Sequence, residues 1–215
     1  MKRQLILAGA LAFVVSLSSA GIAQAGHNDN RAEIDQDGYA NELAASQNGA
    51  RNEIVVEQRG RHSYLRSAQE GRQNRNEVRQ RGRRNASAVG QNGRRNRTNI
   101  RQNGRRNGAV SSQRGRRNDT TINQNGRDLG AVVVQQGRNN DSVVGQQGRD
   151  LLTTIMQDGN GNIVGVAQIG SNHTATASQE GNNNALGIIQ IGDGQETVVH
   201  QSGDGNVTLV IQGGF

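Results

Sequence analysis

Cysteine, proline and tryptophan are absent from the 215 residues, and aromatic side chains make up only 2% of them. Without cysteine there is no disulfide and no thiolate chemistry, although this says little about redox compartment. Apolar residues reach 32%, and such a composition ordinarily belongs to a chain that buries too little to offset its entropy. Positive charge is missing from the end of the chain, where no lysine or arginine follows Arg149. Eighteen arginines are instead crowded between Gln58 and Arg117, against only Glu70 and Glu77. The net charge of +7 therefore averages a strongly basic half and a faintly acidic one.

Long apolar runs are also scarce. The one at the start, Leu5 to Val15, follows Met1-Lys2-Arg3 and precedes Ala23-Gln24-Ala25. A basic start, a short apolar middle and an A-x-A site read as a secretory signal peptide over 1–25, cleaved before Gly26. The alternative, a membrane anchor, needs a longer run. The expected domains are this leader and a single repeat domain over 26–215.

What is present is a repeat. Gln36, Gln47, Gln58, Gln69, Gln80, Gln91, Gln102, Gln113, Gln124, Gln135, Gln146, Gln157, Gln168, Gln179, Gln190, Gln201 and Gln212 each have glycine two places on, always eleven residues apart. The unit reads Gln-x-Gly-x-x-Asn-x-φ-x-φ-x, with φ small, β-branched or aliphatic. Its Asn column holds Asn41, Asn52, Asn74, Asn85, Asn96, Asn107, Asn118, Asn140, Asn162, Asn184 and Asn206. A fixed period over this length marks a repeat architecture, in which neighbouring units supply the contacts a globular core would otherwise provide.

Eleven residues is also three helical turns. Two features argue for strands instead. A glycine costs a helix about 1 kcal/mol in every unit, and φ positions two apart share one face of a strand but not of a helix. As a strand, Asn, φ, φ and Gln point one way and the intervening residues the other. The x-Gly-x-x segment is expected to make the turn.

Two units make a 22-residue rung. The Asn column shows this doubling towards its end, alternating Asn118, Leu129, Asn140, Leu151, Asn162, His173, Asn184, Gln195, Asn206. The expected fold is all-β: a flattened two-sided β-solenoid of about eight 22-residue rungs in cross-β stacking, about 38 Å tall at about 4.8 Å per rung. Inside it the Gln and Asn amides should stack on their own copies, each donating to one neighbour and accepting from the next.

The unit resembles the curlin repeat of curli, the extracellular amyloid fibres of bacterial biofilms. Gln36-Asp-Gly-Tyr-Ala-Asn-Glu-Leu, Gln102-Asn-Gly-Arg-Arg-Asn-Gly-Ala and Gln179-Glu-Gly-Asn-Asn-Asn-Ala-Leu carry the likeness most clearly. The resemblance implies a secreted, cell-surface structural subunit that polymerises with itself. It also implies export through an outer-membrane pore and a nucleating or major partner subunit. The sequence departs from the family in its heavy arginine loading, and in carrying Asn at Asn52, Asn74 and Asn96 where curlins often have Ser.

Arginine follows the glycine in nine consecutive turns, at Arg61, Arg72, Arg83, Arg94, Arg105, Arg116, Arg127, Arg138 and Arg149. Same-edge arginines one rung apart repel by about 0.9 kcal/mol even in water. One reading is a solvated edge that slows premature assembly. The other is a strip for polyanions such as extracellular DNA or acidic polysaccharide. In the last three rungs the outward positions of one arm turn apolar, notably Ile163, Ile169, Ile189, Ile191, Leu209 and Ile211. Such a strip is expected to be a lateral interface.

Catalysis is not expected. His27, His62, His173 and His200 fall in different rungs and columns, with no paired carboxylates, nucleophile elbow or phosphate loop beside them. No metal or cofactor is implied. Two functions remain: a fibre-forming subunit, and a monomeric secreted solenoid that binds polyanions or surfaces. The chain begins and stops in register, leaving raw strand edges that favour the first.

Overall fold

The computed structural model describes residues 29–214 in full, and the backbone alone of three earlier strands, β1 (Arg3–Ala8), β2 (Ala12–Leu17) and β3 (Ser19–Ala25). The expected leader and its cleavage before Gly26 include residues outside those described. From Asn30 onward the chain alternates between two sheets. The even strands are β4 (Arg31–Tyr39), β6 (Glu53–Arg61), β8 (Arg75–Arg83), β10 (Arg97–Arg105), β12 (Asp119–Arg127), β14 (Asp141–Arg149), β16 (Ile163–Ser171), β18 (Ala185–Asp193) and β20 (Val207–Gly214). The odd strands are β5 (Glu42–Ala50), β7 (Tyr64–Arg72), β9 (Ala86–Arg94), β11 (Gly108–Arg116), β13 (Gly130–Arg138), β15 (Leu152–Asn160), β17 (Thr174–Asn182) and β19 (Glu196–Ser202).

Each of these strands pairs in parallel with the strand two places on, in a register of 22 residues. Ile100 lies on Ile122, Gln102 on Gln124 and Gly104 on Gly126. Sheet order follows sequence order, β4-β6-β8 to β20 on one side and β5-β7-β9 to β19 on the other. The chain is a two-sided β-solenoid of about eight turns, without helix among the described residues.

Alternation of side chains explains the core. In β10, Thr98, Ile100 and Gln102 are buried while Arg97 and Arg101 are exposed. The inward aliphatics of both sheets, among them Ile54, Leu65, Val78, Val89, Ile100 and Ile122, form one continuous cluster between the sheets. Burying each such side chain contributes about 1.5–3 kcal/mol. The layer stack thus compensates for the low apolar content, since every small core is shared with the layers above and below.

The turn differs from its sequence reading. Pairing continues through the glycine: β10 extends to Arg105, and only Arg106 and Asn107 reverse the chain. Gly104 has φ of +130° and Arg106 a left-handed φ of 58°. Glycine therefore bends the strand end without leaving the ladder, and the residue two places on makes the corner.

Candidate functional site

Gln102 shows how the amide ladder is built. Its Nε2 donates to Gln124 Oε1 (2.9 Å) and to the carbonyl of Ala86 (3.0 Å). Its Oε1 accepts from Gln80 Nε2 (2.9 Å) and from Ser87 Oγ (2.9 Å). A buried polar group is thereby fully partnered, which removes the desolvation cost of placing it inside. The same amide-to-amide bond links every glutamine from Gln36 to Gln212 with its copy one layer away. Hydroxyls from the facing sheet join in at Ser87, Thr98, Thr120, Ser142, Thr153 and Thr197.

The Asn column is built differently from the amide-on-amide stacking read from the sequence. Asn96 Nδ2 donates to two turn carbonyls, Asn92 (3.3 Å) and Gly115 (3.2 Å). Its Oδ1 accepts the backbone N–H of Asn118 (3.1 Å). The side chain is one methylene shorter than glutamine, so its amide stays within the corner and ties the turn to the next layer. Asn41, Asn52, Asn74, Asn85, Asn107, Asn118, Asn140, Asn162 and Asn184 repeat this pattern. Asn206 also donates to Asn184 Oδ1 (3.2 Å).

The two corners diverge along the stack. On the edge after the odd strands Asn stands in every layer from Asn30 to Asn206. On the edge after the even strands the column passes through Ser63, Leu129, Leu151, His173 and Gln195. His173, fully buried, stands in for asparagine there. Its Nδ1 accepts the N–H of Gln195 (3.2 Å), which leaves the proton on Nε2 to face the Ile169 carbonyl (3.2 Å).

Alternation also divides the arginines. Arg61, Arg83, Arg105, Arg127 and Arg149 end even strands and lie on the first edge. Arg72, Arg94, Arg116 and Arg138 end odd strands and lie on the second. On the first edge Arg106 grips Asp128 with two bonds (Nε to Oδ1 2.5 Å, Nη2 to Oδ2 2.6 Å), and Arg127 stands 3.5 Å from the same carboxylate. Those guanidinium groups hold Asp128 below the ordinary carboxylate range. On the second edge Arg94, Arg95, Arg116, Arg117, Arg138 and Asn139 line a cleft of about 240 Å³.

The even sheet's outer face changes along the stack. At its start Arg31, Glu53, Arg75, Glu77, Arg79, Glu57, Arg59 and Asp35 form a continuous ion-pair network. Burial alone would raise the Glu57 carboxyl, but Arg81, Arg59 and Arg79 hold it below its ordinary value. At the other end Ile163, Ile169, Ile191, Leu209 and Ile211 are exposed and Ile189 is half-buried. The odd sheet carries an apolar patch that the sequence reading missed: Val110, Val134, Leu152 and Met156 are all at least 40% exposed. Its signal lay in the outward columns of β11, β13 and β15, which hold Val110, Val134, Leu152 and Met156.

Among the described residues no group of three His, Asp or Glu is placed to hold a metal ion. No helix there is long and apolar enough to cross a membrane. Comparison with curated proteins finds no match. The family model described as curlin associated repeat matches residues 27–60, 93–126, 115–148 and 148–181, more than half of the chain. This chain, with each Gln-x-Gly arm laid on the one two places on in 22-residue register, belongs to the curlin family.

Proposed function

We propose that the protein is a secreted structural subunit that assembles into extracellular, curli-like amyloid fibres of a biofilm matrix, with a role in adhesion. The observation that carries this reading is the equivalence of the layers. Each presents to the next the same strand edge, the same Gln amides and, on the second edge, the same Asn carbonyl, so a second molecule can meet an end layer through the bonds that hold one molecule together. Beyond β19 and β20 nothing in the described chain occupies those positions, and open strand edges recruit further strands. The leader over residues 1–25, an export pore and a nucleating or major partner subunit belong to this reading through the family.

A monomeric polyanion binder is the weaker reading, because it needs the β19–β20 end of the stack covered, and the β4–β5 end too once the leader strands β1 and β3 that pair there are removed. Incubation of the purified mature chain, followed by thioflavin fluorescence and electron microscopy, separates the two. Fibres seeded by their own fragments are expected; a chain that stays single at high concentration with a β-rich circular dichroism spectrum would overturn the proposal.

A further inference from the structure

The two edges of the solenoid are unequal, a property hidden in the sequence because the arginine column runs through both. On the second edge the turn positions of the central layers hold Arg94, Arg95, Arg116, Arg117 and Arg138 and no carboxylate. Carboxylates on the flanking strands are Glu70, which accepts from Asn92 (3.0 Å), Asp158 in register with Gln136, and Asp119 and Asp141 on the even face. On the first edge Arg106 grips Asp128, with Asp150 one layer on, so carboxylates of the chain itself stand beside the groove that Arg105, Arg127 and Arg149 line there.

Corner arginines stand in the left-handed region on both edges, Arg84 and Arg106 on the first. On the second, Arg95 (φ 59°) and Arg117 (φ 56°) occupy the left-handed corner, a conformation that a long side chain disfavours relative to glycine. Elsewhere on this edge the corner holds Asp29, Arg51 and Gln73 before them and Asn139, Gly161, Asn183 and Gly205 after them. Stacked like charges add a further penalty. Folding gains from Arg95 a bond of its Nε to Gln73 Oε1 (3.0 Å) in the layer before it. The guanidinium groups are also held on a fixed frame: the N–H of Arg117 donates to the Arg94 carbonyl (3.0 Å) and that of Asn139 to the Arg116 carbonyl (3.0 Å). Behind them Asn96, Asn118 and Asn140 tie each turn to the next.

We infer that this cleft is a binding site for a linear acidic polysaccharide, whose carboxylates lie along the second edge, about one per layer. Guanidinium forks match carboxylates bidentately. The layers rise by about 4.8 Å, close to the length of one sugar ring, whereas phosphates on one strand of duplex DNA rise by about 3.4 Å and wind away from a straight edge. No aromatic ring lines the cleft, so the stacking that holds single-stranded nucleic acid is missing.

The test uses the soluble mature chain before assembly, so that it does not depend on fibre growth. Binding of a fluorescent oligogalacturonate and of duplex DNA of equal charge is measured by anisotropy. A second-edge variant (Arg94→Gln, Arg95→Asn, Arg116→Gln, Arg117→Asn, Arg138→Gln) should bind the oligosaccharide about tenfold or more weakly, the scale of losing several charge-assisted contacts. A first-edge variant (Arg83→Gln, Arg84→Asn, Arg105→Gln, Arg106→Asn, Arg127→Gln) should stay within about twofold of the parent. Equal losses from both variants, or none from the first, would overturn the site, and tighter binding of DNA would overturn the ligand. Should the fivefold variant not fold, Arg95→Asn with Arg117→Asn decides, because it should raise thermal stability while weakening binding; unchanged binding then sinks the proposal.

Discussion

A Cβ placed on Gly104 would lie 1.8 Å from the carbonyl oxygen of Gly126 in the next layer. The glycine column is therefore a close approach of backbone to backbone, repeated at Gly82, where the distance to the Gly104 carbonyl would be 2.0 Å. Gly90 differs: it faces outward, and nothing lies within 4 Å of an added Cβ. Gly104→Ala is expected to cost more than about 4 kcal/mol or to prevent folding. Gly90→Ala should stabilise by about 0.4–1 kcal/mol. Denaturant titration of the soluble chain compares the two, and equal effects would show that the layers do not pack as described.

Removing one amide from the ladder should be felt on both sides of it. Gln102→Leu leaves Gln124 Oε1 without the donor that Gln102 supplies, and takes the acceptor from Gln80 and Ser87. Each buried group left unpaired costs about 1–3 kcal/mol. Asn103→Leu, outward on the same strand, should change stability by less than about 0.5 kcal/mol. Hydrogen exchange would localise the loss to β8, β10 and β12; uniform protection would argue against a buried, bonded glutamine.

Acidic residues in register give a pH dependence. Asp119 lies on Asp141, and burial raises the Asp119 carboxyl, with Asp141 pushing it further. Burial raises Asp141 as well. A raised acid is favoured protonated in the folded chain, so stability falls as pH rises from the ordinary aspartate range through the raised value. Asp119→Asn should therefore gain stability at neutral pH and flatten the profile above the aspartate range. Melting of the soluble chain at a series of pH values checks this, and a gain that appeared only at acid pH would contradict it.

The apolar end of the even sheet is proposed to pack against a second solenoid. Ile189→Lys with Ile191→Lys places charge on that face and should give thinner, separate filaments while leaving elongation along the stack intact. Electron microscopy reads filament width and thioflavin kinetics reads growth. Bundles of unchanged width would remove the face from the interface.

The amide bonding of glutamine and the strand periodicity were legible because both depend on sequence separation alone. A column that returns every 22 residues must meet its own copy in a parallel stack. The asparagine geometry was not legible, since one methylene decides whether an amide reaches its neighbour or its own turn. His173 reads as an isolated histidine in sequence, and only its Nδ1 contact with Gln195 and its Nε2 contact with Ile169 show it replacing an asparagine.

By itself the sequence determined the all-β class, the eleven-residue arm, the two-arm layer and the amide column, because a period of eleven with alternating burial admits one regular stacking. The tertiary structure decided what lies beside what: which arginines share an edge, which of them meet Asp128, and where outward valine, leucine and methionine gather into a patch. Those outcomes depend on contacts between layers and between opposite arms, where side-chain length and the handed backbone at a corner set distances that spacing along the chain does not record.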